Sequence, residues 1–517
     1  MAPDHLERGL NRRSFVGLGL GAAGLAAVAA SRPSVALGAQ PATGGTLRFT
    51  QPIPITPFEF QQLGPHTSAL LQTVFDTVVR FDEQRQPQPW LAESWAENEG
   101  NTELTLNLRR GVTYHTGREF TSEDVQFNVE RVRDPAIASQ LRPNSLTVTD
   151  MVLPDPYTIV FRFAQPNPIF FEFLFSLAML DRETAADLEG ARQVIGTGPF
   201  RWQDYVPGNS VTLVRNDTYW QAGKPLLDGI EVQIVDDKQS MVLSVESGQQ
   251  DVAWQVLPQD LARLSGNPQV QPLVSEAGAQ YYYIGAVTTA DLVSDKRVRQ
   301  AINAAIDRQR ITQTLLFGLV EPTALPWPKN VPGYDAEIDG SVTFDLEKAR
   351  RLFEEAGVAP GTTIVLEANA QDPQNAAIGQ IVQADLATIG INLDLQTVEN
   401  SVFQERLNTA GFQQLYANTM GGAQNINWFA QVFPVRISGN ASRYDAPAYV
   451  DLVNAMLAEP DDAARQPLYD QVNRLLVDES FNMPICQAPQ GWVLRGNVTD
   501  FAYDPGNILH LEDTYLA

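Results

Sequence analysis

Residues 363–395 read TIVLEANAQDPQNAAIGQIVQADLATIGINLDL and carry a strand, a helix and a second strand in direct succession. Ile364–Leu366 and Ile391–Leu395 are short apolar runs typical of strands. Between them, Ile378–Ile389 has the longer apolar pattern of a helix, and Gly390 marks its end. Because elements in this order form a right-handed parallel crossover, the stretch predicts an α/β fold.

Similar elements extend in both directions along the chain. Alternating apolar residues predict strands at Leu104–Leu108, Tyr157–Phe163 and Ile230–Ile234. Thr121 and Asp345 each stand before an amphipathic run, which predicts that they cap helices. Strands and helices interleave through the 517 residues without a low-complexity linker, which indicates α/β sheets in more than one lobe. We expect strands that cross between the lobes, rather than flexible tethers, to join them.

Two adjacent arginines near the start precede a short apolar run rich in glycine and alanine. Asn11–Val16 reads NRRSFV, and the apolar run extends to Ala30. This pattern resembles a twin-arginine signal, which exports folded proteins across the bacterial inner membrane. Small residues between Ser34 and Ala39 predict cleavage there. We therefore expect residues 1–39 to be a signal peptide and the mature protein to be periplasmic.

Composition excludes several classes of partner. The formal net charge is −25, so the surface repels nucleic acid and anionic lipid, and neither is expected to bind. Cys486 is the only cysteine, which excludes both an internal disulfide and a lipid anchor on a cysteine at the cleavage region. The four histidines are scattered and show no metal-ligand spacing, so no metal site is expected.

No cofactor is expected either. Gly19–Gly24 matches the dinucleotide pattern G-x-G-x-x-G, but no predicted strand precedes it. No acidic residue occurs from Asn11 to Phe58 to hold a ribose. We interpret the match as signal-peptide composition.

Seven short motifs occur in one order along the chain. They are PWLAESW (89–95), LRRGVTYHTG (108–117), FTSEDV (120–125), GTGPF (196–200), NDTYW (216–220), SGQQDVA (247–253) and DKRVRQAINAAIDR (295–308). Each motif alone is weak, but the ordered set resembles the family 5 extracellular solute-binding proteins, the receptors of ABC importers for peptides, nickel chelates and some sugars. The resemblance covers essentially all of residues 44–517.

The resemblance implies a periplasmic-binding-protein-like, two-lobe hinged α/β fold with mixed sheets and three domains. Domain I would comprise residues 41–84, 195–287 and 489–517, domain II would be the insertion 85–194, and domain III would be 288–488. A solute would be captured between domains I and III and delivered to the membrane permease of an ABC importer. The receptor would be a monomer and not an enzyme, and the residues show no nucleophile elbow or paired-carboxylate motif.

The segment 411–434 bears on the ligand. In peptide-binding relatives this region carries an aspartate that pairs with the peptide's ammonium group, whereas here no Asp or Glu occurs from Arg406 to Arg443. A buried ammonium needs a paired carboxylate, so a carboxylate from another segment, for example Glu59 or Asp291, would have to replace it for a peptide to bind in that way. The segment instead offers amides and an indole, which suit neutral polar ligands: Gln424, Asn425, Asn427 and Trp428.

Four further residues are candidates for the cleft. Thr50 and Gln51 end the first predicted strand, and Trp254 follows the SGQQDVA motif. Tyr282 lies between Tyr281 and Tyr283 on a strand and therefore faces away from both. The eight candidates leave two ligand classes open: a peptide-like or related small organic solute, and an oligosaccharide or other neutral polar solute. A role as periplasmic chaperone or chemosensory relay is a further alternative.

Other motif residues are expected to have structural roles. His115 lies in a tight turn and is expected to hydrogen-bond to backbone. The glycines of Gly196–Pro199 are expected to supply turn geometry. Arg297, Arg299 and Arg308 are expected to form ion pairs on a helix surface with nearby aspartates.

Overall fold

The β-α-β unit at residues 363–395 is present in the computed structural model as strand Thr363–Asn369, helix Pro373–Thr388 and strand Asn392–Val398. The two strands pair in parallel along their whole length, with Ile364 opposite Leu393. The α/β prediction from this stretch is confirmed.

The structure describes residues 42–62, 68–82, 86–167, 170–188, 193–275, 280–329, 331–421, 434–459, 461–504 and 508–517. The predicted signal segment and its cleavage region lie outside these ranges. No helix of the described residues is long and apolar enough to cross a membrane.

The strands are β1 Thr46–Gln51, β2 Val79–Phe81, β3 Pro87–Pro89, β4 Ala92–Glu97, β5 Glu103–Leu108, β6 Val148–Asp155, β7 Thr158–Phe163, β8 Phe200–Val206, β9 Ser210–Arg215, β10 Gly229–Ile234, β11 Val252–Trp254, β12 Val270–Ser275, β13 Gln280–Ala286, β14 Thr363–Asn369, β15 Asn392–Val398, β16 Leu415–Gly421, β17 Asn482–Gln487, β18 Gln490–Arg495, β19 Val498–Thr499, β20 Ala502–Tyr503, β21 Leu509–His510 and β22 Tyr515–Leu516.

The α-helices are α1 Glu59–Gln62, α2 Leu71–Val74, α3 Ser122–Arg133, α4 Arg142–Ser145, α5 Phe170–Ser176, α6 Lys238–Glu246, α7 Pro258–Leu264, α8 Lys296–Ala304, α9 Arg308–Leu315, α10 Ala336–Gly340, α11 Leu346–Glu355, α12 Pro373–Thr388, α13 Asn400–Thr409, α14 Pro447–Ala458 and α15 Asp462–Glu479. Thr121 caps α3 through a capping box with Asp124, and Asp345 caps α11, as their positions predict.

Three larger sheets organise these elements. A seven-stranded sheet has the order β12-β18-β11-β1-β10-β9-β8, and its central strands β10, β1 and β11 are parallel. A five-stranded sheet has the order β15-β14-β16-β13-β17, with β14 parallel to both β15 and β16. An antiparallel four-stranded sheet, β4-β5-β7-β6, contains the predicted strands at 104–108 and 157–163.

The hydrophobic cores follow the sheets. One core joins the seven-stranded and four-stranded sheets, with Phe49 and Phe161 both fully buried in it. Two further cores cover the opposite faces of the five-stranded sheet. Tyr282 belongs to one of these cores while Tyr281 and Tyr283 belong to the other, so the predicted alternation of the three tyrosines is confirmed.

The chain crosses twice between the seven-stranded and five-stranded sheets. The first crossing runs from β12 to β13 and the second from β17 to β18. The two crossings are adjacent, because β12 pairs with β18 in the seven-stranded sheet and β13 pairs with β17 in the five-stranded sheet. The Ala488 amide donates to the Gln280 carbonyl at 2.9 Å, and the Gln490 side chain donates to that of Gln280 at 3.2 Å. Two adjacent strand crossings of this kind form a hinge between the sheets.

The prediction of surface ion pairs is wrong for two of the three arginines. Arg297 does pair with Asp295 at the start of α8. Arg299, however, is 2 % exposed and binds the Glu479 side chain and three backbone carbonyls, and Arg308 is 6 % exposed and donates to the Pro484 carbonyl. Their guanidinium groups connect α8 and α9 to β17 and to the residue Glu479 before it. The hydrogen bonds allow both charged groups to be buried.

The glycines of Gly196–Pro199 have a different role from the expected one. A Cβ atom at Gly196 would lie 2.1 Å from the Val74 carbonyl oxygen, and one at Gly198 would lie 2.6 Å from the Val74 carbonyl carbon. The Gly198 amide donates to that same oxygen at 3.0 Å. Glycine is therefore required by the close approach of two backbones rather than by the turn.

Candidate functional site

The strand registers bring the carboxyl ends of the parallel strands to the hinge in both sheets. In the seven-stranded sheet, β18 starts at the hinge and runs antiparallel to β11, so β11, β1 and β10 all end on the hinge side. In the five-stranded sheet, β13 starts at the hinge and runs antiparallel to β16, so β16, β14 and β15 also end there. Ligands of open α/β sheets bind beyond the carboxyl ends of strands, so the two facing edges define a candidate cleft.

Thr50 and Gln51 end β1 at the edge of the seven-stranded sheet. Both side chains are fully buried. The Gln51 amide nitrogen donates to the Ile53 carbonyl at 2.6 Å, but its amide oxygen and the Thr50 hydroxyl have no hydrogen-bond partner among the described residues. Buried polar atoms are normally paired, so these two are available to a bound molecule.

Trp254 ends β11 beside them and is 3 % exposed. Its ring stacks on Trp492 of β18, with centroids 5.3 Å apart and planes inclined by 17°. The indole nitrogen of Trp254 has no hydrogen-bond partner in the described part of the chain. The ring is thus held by the core while its one donor stays unused.

Tyr282 and Thr419 form the matching edge of the five-stranded sheet. The two residues are directly opposite each other in the β13–β16 pairing. Tyr282 is 8 % exposed, and burial raises the pKa of its phenol above the ordinary value, with the nearby Asp372 carboxylate acting in the same direction. The phenol therefore stays protonated at physiological pH.

Asp372 is held rigidly where β14 leads into α12. Its carboxylate accepts hydrogen bonds from the Thr419 hydroxyl at 2.8 Å and from the Asn375 side chain at 2.7 Å. The Asn375 backbone amide lies 3.4 Å from the other carboxylate oxygen, which makes Asp372 the N-cap of α12. The result is a fixed negative charge at the hinge side of the five-stranded sheet.

Lys238 supplies a positive charge from the other sheet. It is the first residue of α6, which follows the end of β10 after a short connection. Partial burial lowers the pKa of its ammonium group, and the Asp372 carboxylate acts in the opposite direction. Lys238 thus lies on the hinge side of the seven-stranded sheet, because α6 begins shortly after the end of β10.

Gln487 adds an amide that the sequence did not single out. It ends β17 opposite Tyr281, at the hinge, and is 8 % exposed. Neither its amide nitrogen nor its amide oxygen has a partner among the described residues. A glutamine at the end of an apolar strand carries no distinctive pattern, and only the pairing of β17 with β13 places it here.

The structure thus brings together four of the eight predicted site residues, Thr50, Gln51, Trp254 and Tyr282, at the two facing edges. The other four, Gln424, Asn425, Asn427 and Trp428, lie outside the described residues, in a segment that begins directly after β16. Whether any of the eight contacts a ligand stays a prediction.

The sequence did not indicate Asp372 as a cleft residue, because its local pattern is that of a helix N-cap. Asp372-Pro373 before an apolar run is the usual start of a helix, and Asp372 does cap α12. Asp291, one of the carboxylates considered as a replacement, lies beyond Ala286 at the opposite end of β13. Only the register of the five-stranded sheet distinguishes these two positions.

A separate cavity of about 350 Å³ lies away from the hinge between α8, α10, α11 and α15. Its polar lining includes Asn303, Glu337, Lys348, Arg474 and Asp478. None of the four predicted site residues that the structure describes lines it. In the described residues, no group of three or more His, Cys, Asp or Glu side chains is arranged to hold a metal ion.

Two α/β sheets, a two-strand hinge and a polar cleft between facing strand ends define a hinged binding protein. The family model of bacterial extracellular solute-binding proteins, family 5, matches residues 86–434. The chain belongs to this family, whose members are solute receptors, and the family-level prediction from the motifs is confirmed.

Individual relatives are distant but extend over most of the chain. Di/tripeptide-binding protein 1 of Pseudomonas aeruginosa is 26 % identical over 478 residues, covering 86 % of this chain and 88 % of the relative. The nickel-binding periplasmic protein of Escherichia coli is 24 % identical over 487 residues, covering 88 % and 91 %. The crystal structure of NikA from Brucella suis in complex with Fe(III)-EDTA superimposes with a TM-score of 0.81 at 22 % identity, covering 92 % of this chain and 100 % of that one. The two-lobe binding-protein fold is therefore shared.

Proposed function

We propose that this protein captures a peptide-like or related small organic solute between its two sheets and delivers it to the membrane permease of an ABC importer. The observation that carries the proposal is the pair of facing strand ends, where Thr50, Gln51, Trp254 and Gln487 keep buried polar atoms that have no partner among the described residues. A solute enclosed there satisfies them, and enclosure on all sides makes micromolar affinity, about −8 kcal/mol, attainable without covalent chemistry.

Closure about the hinge couples binding to transport. A solute that contacts both edges favours the closed arrangement over the open one, and the permease would recognise the closed form. Similarity to a protein named for di- and tripeptides supports a peptide-like ligand. A related protein named for nickel indicates that the same fold accommodates other solutes.

An oligosaccharide or other neutral polar solute is the alternative ligand. The segment after β16 supports it, because Gln424, Asn425, Asn427 and Trp428 supply amides and an indole without a carboxylate. In this proposal Trp428→Ala weakens binding at least tenfold and leaves the apo melting temperature nearly unchanged. A large loss of apo stability would instead identify Trp428 as a core residue.

The proposal includes the route and the organisation of the protein. Asn11–Val16 supports twin-arginine export to the periplasm, with cleavage near Ala39 and no lipid anchor. The protein would act as a monomer. Domains I, II and III would have the boundaries given above, although β13, before the boundary at 288, pairs within the five-stranded sheet.

Native mass spectrometry of the gently purified mature protein tests the proposal. We expect one organic molecule per chain, and its identity separates peptides from neutral solutes. Adding the released molecule back to the stripped protein should reduce the radius of gyration in X-ray scattering, because the lobes close. The proposal fails if the protein is empty and neither its scattering nor its melting temperature responds to peptides, oligosaccharides or metal chelates.

A further inference from the structure

The cavity between α8, α10, α11 and α15 has the size of a small-molecule site. Its volume of about 350 Å³ lies within the range of ligand pockets, about 300–1,000 Å³. Its lining residues extend from Gln300 to Ser480, so all of them lie between the two strand crossings and belong to the side of the five-stranded sheet. Closure of the cleft therefore does not separate them from one another.

The floor of this cavity consists of its most deeply buried lining residues. Asn303, Ala304, Ile338 and Ser480 are all more than nine-tenths buried. The Asn303 side chain donates to the Ser480 hydroxyl at 3.1 Å, and its amide oxygen accepts from the Arg308 guanidinium at 2.5 Å. Because hydrogen bonds within the protein hold these polar groups, the floor is preformed and a ligand loses little affinity in ordering it.

Two cationic side chains that line the cavity are free to bind a ligand. Lys348 of α11 and Arg474 of α15 are exposed, and neither side chain has an ion pair or hydrogen bond among the described residues. By contrast, Lys296 and Arg297 of α8 are both paired with aspartates. Two unpaired cations from different helices at one cavity can donate charge-assisted hydrogen bonds to the same anion.

The acidic lining residues do not neutralise these two cations. Asp478 is already bound by Lys296 at 2.8 Å and by the Gln300 side-chain amide at 3.0 Å. Glu337 forms no ion pair within the described part of the chain, so its carboxylate remains able to accept a hydrogen bond from a ligand hydroxyl. Two free positive charges thus stand against one free negative charge, in a chain whose net charge of −25 repels anions at long range.

We propose that this cavity is a second binding site, which takes a small organic anion such as a carboxylic acid or a phosphate ester. The anionic group is held between Lys348 and Arg474, and the remainder of the molecule lies on the buried floor. The site goes beyond the proposed function, because it is separate from the cleft that captures the transported solute.

Two pairs of small molecules test the inference by calorimetry on the mature protein. L-Malate is compared with its neutral diamide, and glycerol 3-phosphate with glycerol, at low ionic strength because salt screens exposed charges. We expect at least one anion to bind and its neutral counterpart to bind at least tenfold more weakly. Binding of one anion alone identifies the carboxylate or the phosphate as the preferred group. Binding of neither anion, or equal binding of the neutral counterpart, would overturn the inference.

Substitutions of the two cations locate the bound anion. Lys348→Gln and Arg474→Gln should each weaken its binding at least tenfold and leave the melting temperature unchanged, because both side chains are exposed. Arg474→Lys retains the charge and should retain most of the affinity. Arg351→Gln is the matched control, since it removes a positive charge from the exposed surface of α11 outside the cavity lining. Equal weakening by Arg351→Gln would contradict the inference, because it would indicate a general effect of surface charge.

Two further measurements separate this site from the cleft. Saturating the protein with its transported solute should leave the affinity for the anion unchanged, and displacement of the anion would place it in the cleft and overturn the inference. The anion should also slow amide hydrogen exchange in residues 337–348 and 474–480, which contain much of the cavity lining. A protein that captures no transported solute but binds the anion through Lys348 and Arg474 would contradict the proposed function and retain this inference.

Discussion

Trp254 and Trp492 stack across neighbouring strands, with ring centroids 5.3 Å apart and planes inclined by 17°. The two residues are directly opposite each other in the β11–β18 pairing. Trp492 stacks in turn on Tyr503 at 5.3 Å, so the rings form a short column through the core. The column fixes the Trp254 ring at the end of β11, on the hinge side of the seven-stranded sheet.

Trp254→Phe removes the indole N–H donor of this residue and retains an aromatic ring. The phenyl ring keeps the stacking, and no hydrogen bond is lost in the apo protein because the indole nitrogen has no described partner. We expect a loss of about 1–2 kcal/mol in the free energy of unfolding, because the smaller ring leaves a cavity, and about tenfold weaker binding of the native solute by calorimetry. Trp202→Phe on β8 also removes an indole nitrogen that has no partner in the described part of the chain, and it should leave binding unchanged. Unchanged affinity in Trp254→Phe would show that the indole does not donate to the solute.

Asp76 should be essential for stability and dispensable for binding. Its fully buried carboxylate accepts hydrogen bonds from Trp90 at 2.7 Å, Thr197 at 3.0 Å, and Tyr219 and Trp220 at 3.1 Å each. Asp76→Ala leaves four donors without an acceptor, and we expect it to lower the free energy of unfolding by about 3 kcal/mol or more in urea titrations.

The exposed Asp217 provides the matched control for Asp76. Asp217→Ala should change the free energy of unfolding by about 0.5 kcal/mol or less. Comparable losses in the two variants would contradict a buried network at Asp76. Solute affinity should be the same in both folded variants.

His115 should make the protein less stable as the pH falls below neutrality. Burial lowers the pKa of this imidazole to about 4, and its ring nitrogens bond to the Gly198 carbonyl at 3.0 Å and the Gly196 amide at 3.3 Å. The unfolded chain takes up a proton near pH 6.5 and the folded chain only near pH 4, so stability is lost across that interval and levels off below it. The shift corresponds to a loss of about 3 kcal/mol.

The difference between wild type and His115→Gln isolates this effect from the titration of carboxylates. The free energy of unfolding of the wild type should fall relative to that of the variant from pH 6.5 to 4. Parallel curves over this range would show that the folded protein protonates His115 as readily as the unfolded chain does.

Gly285→Ala should disrupt the five-stranded sheet. A Cβ atom there would lie 2.2 Å from the ring of Tyr416, which is fully buried and stacked on Phe412 at 4.4 Å. Because this ring has no room to move, we expect a loss of about 2 kcal/mol in the free energy of unfolding. Gly266→Ala is the control, because no described atom lies within 4 Å of the new Cβ atom. Its free energy of unfolding in urea titrations should equal that of the wild type.

Local pattern was sufficient to predict much of the secondary structure. The 363–395 unit, the strands at 104–108 and 230–234, and the caps Thr121 and Asp345 all depend on residues close in sequence. The buried positions of Arg299 and Arg308 depend on β17 and its approach, about 180 residues away, and their helical spacing gave no indication of it.

The candidate site was only partly predictable for the same reason. Thr50, Gln51 and Trp254 stand at strand ends, and Tyr282 is the third residue of β13. Both kinds of position can be predicted from alternation. Asp372 and Lys238 are separated by more than a hundred residues and belong to different sheets. Their placement on the hinge side of the two sheets follows from the strand registers, which no local pattern encodes.

The place of β18 in the seven-stranded sheet has a consequence for how the chain acquires its structure. β18 lies between β11 and β12, and among the described strands β12 pairs with β18 alone. β1 pairs with β10 and β11, which follow it by about 180 and about 200 residues. The ribosome must release residues 490–495 before the sheet can be completed. Folding is therefore dominated by contacts distant in sequence, which makes it slow.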